Sequence, residues 1–284
     1  MSSINKKIIE IQGAPYPKKA SVYPAEGNCE KGAVLYFHGG GLLYGSREDL
    51  PEGHIQAVTG AGFTLVSFDY PLAPAAKLPD IYADVFSSIE YFLRNPEAFG
   101  CETGPYFLWG RSAGAYLCLL TAAKGNLSEA PSGILSYYGY GFLCDGWFLA
   151  PDPYYRSLPA VPASCLDPLP KKISAEGSLE KHYSAYVYAR QSGNWLSLLY
   201  EGRQKYFYTD YTLRLCGALP CPLFAAHSTG DPDVPFSEYQ ELLRRYHARP
   251  FLVSGSEHDF DRNPYHPFTR KLLEESVRFM EECL

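Results

Sequence analysis

Tyr106-Phe107-Leu108-Trp109-Gly110-Arg111-Ser112-Ala113-Gly114, followed by the helix-forming stretch that runs to Ala123, decides how this chain reads. The apolar run Tyr106 to Trp109 has the length and composition of a buried strand, and Ala113 to Ala123 is rich in helix formers. A strand, a tight turn and a helix therefore follow one another, with Ser112 at the turn. Gly110 and Gly114 permit a bend that a Cβ at either place would obstruct. Ser112 is pushed out at the carboxyl end of the strand with a helix N-terminus beside it, where the Ala113 N–H can meet developing negative charge. The pattern G-x-S-x-G is weak alone; its strand–turn–helix setting gives it weight.

Upstream, Ala33-Val34-Leu35-Tyr36-Phe37 reads as another buried strand, and His38-Gly39-Gly40-Gly41 follows at once. Consecutive glycines leave backbone N–H groups unshielded, so they can converge on an oxyanion. A phosphate cradle would need a Gly-Lys-Ser/Thr ending, and Leu42-Leu43 stands there instead.

Outward from these two pieces, strand-like and helix-like segments alternate, which predicts an α/β fold with a mostly parallel sheet covered on both faces. Two short β-like pieces flank Gly13-Ala14-Pro15 within 7–23. Strands are expected at 33–37, 63–68, 106–109, 133–138, 222–226 and 250–253, and helices at 51–60, 79–95, 113–123, 236–247 and 267–282. Residues 140–215 break the alternation. They open with Pro151-Asp152-Pro153 and the proline-rich run Pro159 to Pro170, then show helix-compatible stretches at 179–191 and 194–201. So long a segment is more than a loop.

Of 284 residues, 46% are hydrophobic and 20% charged, enough to bury a substantial core. The net charge is −6 and there is no Lys/Arg block, which argues against nucleic acid and against an anionic membrane surface as partners. Met1-Ser2-Ser3-Ile4-Asn5-Lys6-Lys7 leads into only a short apolar stretch, unlike a secretory signal, and no run is long enough to span a bilayer. The eight cysteines are scattered without C-x-x-C or zinc-ligand spacing, so a reduced, cytoplasmic protein is expected, with Cys118 and Cys144 in the core. The 24 Tyr, 16 Phe and 3 Trp are an excess, and tyrosines concentrate between Tyr137 and Tyr211.

The chain resembles the α/β-hydrolase superfamily, in particular its HGGG-type esterases and lipases. The resemblance rests on His38-Gly39-Gly40-Gly41, Asp69-Tyr70-Pro71-Leu72-Ala73-Pro74, Gly110 to Gly114, Gly230-Asp231-Pro232-Asp233-Val234-Pro235 and Gly255-Ser256-Glu257-His258, in the family's order. It implies an α/β-hydrolase fold with 1–139 and 216–284 as core and 140–215 as a cap inserted after the sixth strand. Tyrosines of that cap, with apolar faces and polar tips, are expected to pack mainly onto the sheet while a few line the pocket.

A serine hydroxyl needs a base, usually a histidine oriented by a carboxylate. The family order is Ser, acid, His. After Ser112, His258 follows the strand Phe251-Leu252-Val253 in a loop at the carboxyl edge and takes the role by position and resemblance. His266 is the runner-up; His182 and His247 fall in helical text, and His227 precedes the acid. Asp231 and Asp233 both qualify on chemistry; the family pattern selects Asp231 and leaves Asp233 as a surface turn or a cap for 236–247. The resemblance further implies Gly40, Gly41 and Ala113 as oxyanion donors, with His38, Gly39, Gly110 and Gly114 supporting. Asp69 is expected to anchor the Pro71–Pro74 turn, and Arg111 to be either a surface charge or the partner of a nearby acid.

The chain departs from the hormone-sensitive-lipase-like subgroup: little sequence precedes Ala33 to build that subgroup's N-terminal cap, and its Asp-Pro-Leu acid motif is replaced. The expected activity is hydrolysis of small, soluble, short-chain carboxylic esters, with no metal or organic cofactor and an oligomeric state left open. Hydrolysis of an amide such as an aryl formamide is the alternative, and a ligand receptor on a hydrolase scaffold the non-enzymatic one.

Overall fold

The computed structural model describes residues 5–27, 30–124 and 126–284. Met1 to Ile4, part of the stretch read above for targeting, and Cys29 lie outside them. One sheet organises the chain. Its strands are β1 (Lys7–Glu10), β2 (Lys19–Tyr23), β3 (Gly32–Phe37), β4 (Phe63–Phe68), β5 (Tyr106–Arg111), β6 (Gly133–Tyr137), β7 (Leu223–Ser228) and β8 (Arg249–Val253), in the order β1-β2-β4-β3-β5-β6-β7-β8. β1 and β2 pair antiparallel at one edge; from β4 to β8 every pairing is parallel.

The alternation along the central strands builds two cores. Ala33, Leu35 and Phe37 of β3 with Tyr106 and Leu108 of β5 face α2 (Leu78–Arg94), α3 (Ala113–Ala123) and α8 (Phe236–Tyr246). Val34 and Tyr36, with Phe107 and Trp109, face α1 (Glu52–Gly60) and α9 (Thr269–Glu282). α2 shows why such helices form: Leu78, Ile81, Val85, Ile89 and Phe92 recur at helical spacing and are buried. Asp80 accepts from the Lys77 N–H at the start of that helix. α3 is buried on all sides, consistent with its near-uniform apolar text.

The strand after Pro105 runs two residues past the expected end at Trp109, because Gly110 and Arg111 still pair with Ser136 and Tyr137. Between β6 and β7 the chain forms α4 (Pro153–Ser157), α5 (Leu179–Ser192), α6 (Trp195–Leu199) and α7 (Gln204–Asp210). Sequence reading anticipates α5 and α6 but not α4 or α7. α4 is a single turn started by Asp152, whose side chain accepts from the N–H groups of Tyr154 and Tyr155, with Pro153 at the first helical position. The segment is tied to the sheet through Glu238 of α8, a buried carboxylate that accepts from Gly141 N, Phe142 N, Cys144 N and the Trp147 indole.

Cys118 is buried as expected, whereas Cys144 is only half-buried at the margin of the core. Among the described residues no helix is long and apolar enough to cross a membrane.

Candidate active site

The carboxyl ends of β3, β5, β7 and β8 converge. At the end of β5, Ser112 adopts φ 52° and ψ −117°, an unfavourable conformation for a residue with a side chain. Two glycines make that turn sterically possible: a Cβ on Gly110 would overlap the backbone of Gly114 and Ala115, and one on Gly114 would overlap the Phe37 carbonyl of β3. Backbone contact of this kind has no soft side to yield, so the glycines are required by close approach. The Ser112 N–H donates to the Tyr137 carbonyl of β6 at 2.9 Å, which fixes the turn against the neighbouring strand.

Ser112, His258 and Asp231 are brought together. Ser112 Oγ lies 2.9 Å from His258 Nε2, and His258 Nδ1 donates to Asp231 Oδ2 at 2.7 Å. The side chain of Asp231 is fully buried, and its other oxygen accepts from Asp233 N at 2.8 Å and Val234 N at 3.0 Å. Burial opposes the Asp231 charge, but His258 and these N–H donors outweigh it and hold the carboxyl below its ordinary range. Burial likewise opposes the imidazolium of His258, yet the neighbouring carboxylates of Asp231 and Asp233 outweigh it and push the imidazole up to about 9. His227, behind Asp231, is kept neutral by burial, down to about 4.

Asp233 is not the surface turn residue or helix cap that its sequence position suggests. It is buried, and its Oδ2 lies 3.5 Å from His258 Nε2, while Tyr186 OH donates to Oδ1 at 2.6 Å and Arg190 approaches Oδ1 at 3.3 Å. The local text could not announce this, because Tyr186 and Arg190 arrive from α5.

The glycine loop is divided between the cavity and the segment between β6 and β7. Gly39 and Gly40 line the cavity that holds Ser112 and His258, but Gly41 does not. The Gly40 carbonyl accepts from Leu43 N and Tyr44 N, turning the chain so that Gly41 lies against the Tyr186 ring, and Trp195 donates its indole N–H to the Gly41 carbonyl at 2.9 Å. Among the described residues no backbone carbonyl takes the N–H of Gly39, Gly40 or Gly41. His38 is buried and holds the loop, its Nδ1 donating to the Gly39 carbonyl at 2.8 Å while its ring stacks on Tyr70.

The cavity is about 160 Å³ and is lined by Gly39, Gly40, Tyr44, Ser46, Asp49, Arg111, Ser112, Tyr138, His258, Asp259 and Arg262, closed from the α5 side by Gly177, Ser178 and Leu179. No tyrosine of residues 140–215 is among its walls. Tyr140, Tyr200, Tyr208 and Tyr211 pack with one another and with Trp147, Phe148, Trp195 and Phe207, while Tyr183 and Tyr186 pack behind the wall residue Tyr44, so the expectation that a few would line the pocket is corrected.

Arg111 has a buried role. It pairs with Asp261 at 3.3 Å, and its Nε donates to Tyr138 OH; His54 donates to the same Asp261 at 2.7 Å. Burial works against the Asp261 charge, but Arg111 and His54 outweigh it and hold the carboxyl far below its ordinary range. Tyr138 packs its ring 4.6 Å from that of His258, from a backbone at φ 40°. Sequence reading missed Tyr138, Arg190, Trp195 and Asp261; only Tyr138 carried a signal, its place at the carboxyl end of a strand. Asp69 accepts from Arg47 at 2.8 Å and from Lys19 N, so it braces the sheet edge and not the Pro71–Pro74 turn. His266 packs between Phe260 and Phe268, and His182 and His247 lie on or at the end of α5 and α8; none is at the cavity.

Residues 34–148 match a family model described as an alpha/beta hydrolase fold. The chain is 26% identical over 154 residues to an ethyl acetate hydrolase of Pseudomonas putida, covering 48% of each. It spans no more than about half the length of the curated relatives it matches. A protein of unknown function from Staphylococcus aureus superposes with TM-score 0.82 at 27% identity, covering 98% of this chain and 99% of that one. An alpha/beta hydrolase superfamily protein from Enterococcus faecalis superposes with TM-score 0.81 at 25% identity, covering 99% and 100%.

Proposed function

The chain belongs to the α/β-hydrolase superfamily, and we propose that it is a serine carboxylic-ester hydrolase acting on small acyl esters. The observation that carries the reading is the continuous contact from Ser112 Oγ through His258 to a buried Asp231, beside glycine N–H groups that no backbone carbonyl among the described residues takes. The ethyl acetate hydrolase similarity supports the substrate class.

In this reading Ser112 Oγ attacks the ester carbonyl carbon as His258 Nε2 takes the hydroxyl proton. Asp231 stabilises the imidazolium and fixes the tautomer with the proton on Nδ1. The N–H groups of the glycine loop, from Gly39 to Gly41, and of Ala113 are the donors that receive the oxyanion; preorganised donors of this kind contribute about 3–4 kcal/mol each to such a step. His258 then returns the proton to the departing alcohol oxygen, leaving an acyl-serine. Water, deprotonated by the same imidazole, attacks that acyl carbon and releases the acid and Ser112. The Gly41 carbonyl is held by Trp195, which fixes the loop. The segment between β6 and β7 serves as a cap, since Gly177, Ser178 and Leu179 close one side of the cavity.

The test is hydrolysis of p-nitrophenyl esters from acetate to palmitate, alongside an aryl formamide and an aminoacyl anilide. Turnover of the short esters, lost in Ser112→Ala, is expected. Turnover of the amides alone would replace the reading.

A further inference from the structure

His258 is flanked by a carboxylate at each ring nitrogen. Asp231 accepts from Nδ1 at 2.7 Å, and Asp233 Oδ2 stands 3.5 Å from Nε2, the nitrogen that faces Ser112. Only the first is needed to orient the imidazole. The second is a built feature: Asp233 is buried, Tyr186 OH donates to its Oδ1 at 2.6 Å, and Arg190 reaches the same oxygen at 3.3 Å and its backbone carbonyl at 3.2 Å. Arg190 is itself fixed by Asp152 at 2.8 Å and lies over the rings of Trp147 and Tyr155. Asp233 Oδ1 is thus engaged from α5, which leaves Oδ2 toward the imidazole.

Building on the serine-hydrolase reading, we propose that Asp233 is a positioning residue that stabilises protonated His258 from the Nε2 side, and that α5, through Tyr186 and Arg190, holds it there. The segment between β6 and β7 then does more than close the cavity; it sets the basicity of the base.

The charges around the imidazole support the sign. From its own loop come Asp259 and Arg262; from β7 and the turn after it, neutral His227 and Asp231; from the turn after β6, Tyr138, whose hydroxyl accepts from Arg111; from the loop after β3, Tyr44 and Asp49. α5 adds Tyr186 and Arg190, and Asp152 and Tyr155 stand behind Arg190. Arg190 offsets part of the Asp233 charge but shares itself with Asp152, so Asp233 retains a net effect on His258. While His258 is protonated, its Nε2–H can only donate to Ser112 Oγ, and the serine cannot lose its proton. Activity must therefore rise as pH rises through the titration of His258, which the two carboxylates move to about 9.

The experiment is the pH dependence, from 5 to 10, of kcat/KM for p-nitrophenyl acetate and of the rate at which a fluorophosphonate labels Ser112. It is run on the wild type, Asp233→Asn and Tyr186→Phe. Both readouts report the free enzyme and should share one acid limb. A limb near 9 is expected in the wild type, lower by about 1 unit in Asp233→Asn, and lower by less in Tyr186→Phe, which keeps the carboxylate but removes one of its two ties to α5. A wild-type limb near the ordinary imidazole value of about 6.5 overturns the proposal whether or not the variant folds. So does an Asp233→Asn limb that coincides with the wild type's while Ser112 is still labelled; that outcome leaves the serine-hydrolase reading standing. A wild type that neither turns over ester nor labels Ser112 at any pH overturns both.

Discussion

Trp195 of α6 donates its indole N–H to the carbonyl of Gly41, 2.9 Å away, and is itself buried. This hydrogen bond, with that of Gly45 N to the Gly177 carbonyl at 2.8 Å, joins the segment between β6 and β7 to the loop that carries the glycines. Trp195→Phe keeps most of the ring and deletes the donor, leaving a buried carbonyl unsatisfied. Stability should fall by about 1–3 kcal/mol in urea unfolding. kcat should fall about tenfold with KM less affected, since a loosened loop misplaces groups that act in the transition state. Equal effects on stability with no change in kcat would separate the loop from catalysis.

Arg111, Asp261 and His54 form a buried charged group beneath Tyr138. Removing one partner leaves an uncompensated charge, so Arg111→Met should cost about 3–5 kcal/mol in denaturant unfolding. The pH dependence has a definite sign. The folded state keeps Asp261 ionised below the ordinary carboxylate range, so the unfolded state binds the proton first as pH falls. The contribution is fully present above about pH 4 and is lost progressively below it. In Asp261→Asn that acid-dependent component should vanish from a series of urea melts between about pH 2 and 6.

The two aspartates of the acid loop should separate in kinetics. Asp231→Asn should lower kcat by about 10³- to 10⁴-fold, because an amide favours the wrong imidazole tautomer. Asp233→Asn should cost far less at alkaline pH. The reverse ranking would mean that the orienting acid is Asp233.

The cavity around Ser112 is small, about 160 Å³, and among the described residues that line it Leu179 is the single aliphatic side chain. A long acyl chain finds no apolar channel there. Each methylene that fits adds transition-state binding, and each one beyond the wall is lost to steric clash. kcat/KM for p-nitrophenyl esters should peak between acetyl and butyryl and fall steeply by octanoyl, with no rate increase once substrate exceeds its solubility. A palmitoyl preference would contradict this.

The legible parts of the sequence are those where local chemistry and structure coincide. The turn at Ser112 could be read because Gly110 and Gly114 are demanded by contacts within a few residues or with the adjacent strand. The alternating strands could be read because both faces of the sheet are covered. The contacts of Gly41 and Asp233 could not be read locally. Trp195, Tyr186 and Arg190 reach them across long sequence separations, so no spacing rule reports the contact. The tyrosine-rich text described composition correctly, but composition does not say whether a ring faces a cavity or another ring.

The central claim is that Ser112 is a nucleophile activated by His258, and covalent labelling tests it most directly. A fluorophosphonate followed by peptide mass spectrometry should place the adduct on Ser112, at a rate that collapses in His258→Ala. Ser112→Ala should lower kcat by about 10⁴- to 10⁶-fold while the protein stays folded. An adduct on another serine, or near-normal turnover by folded Ser112→Ala, would contradict the account.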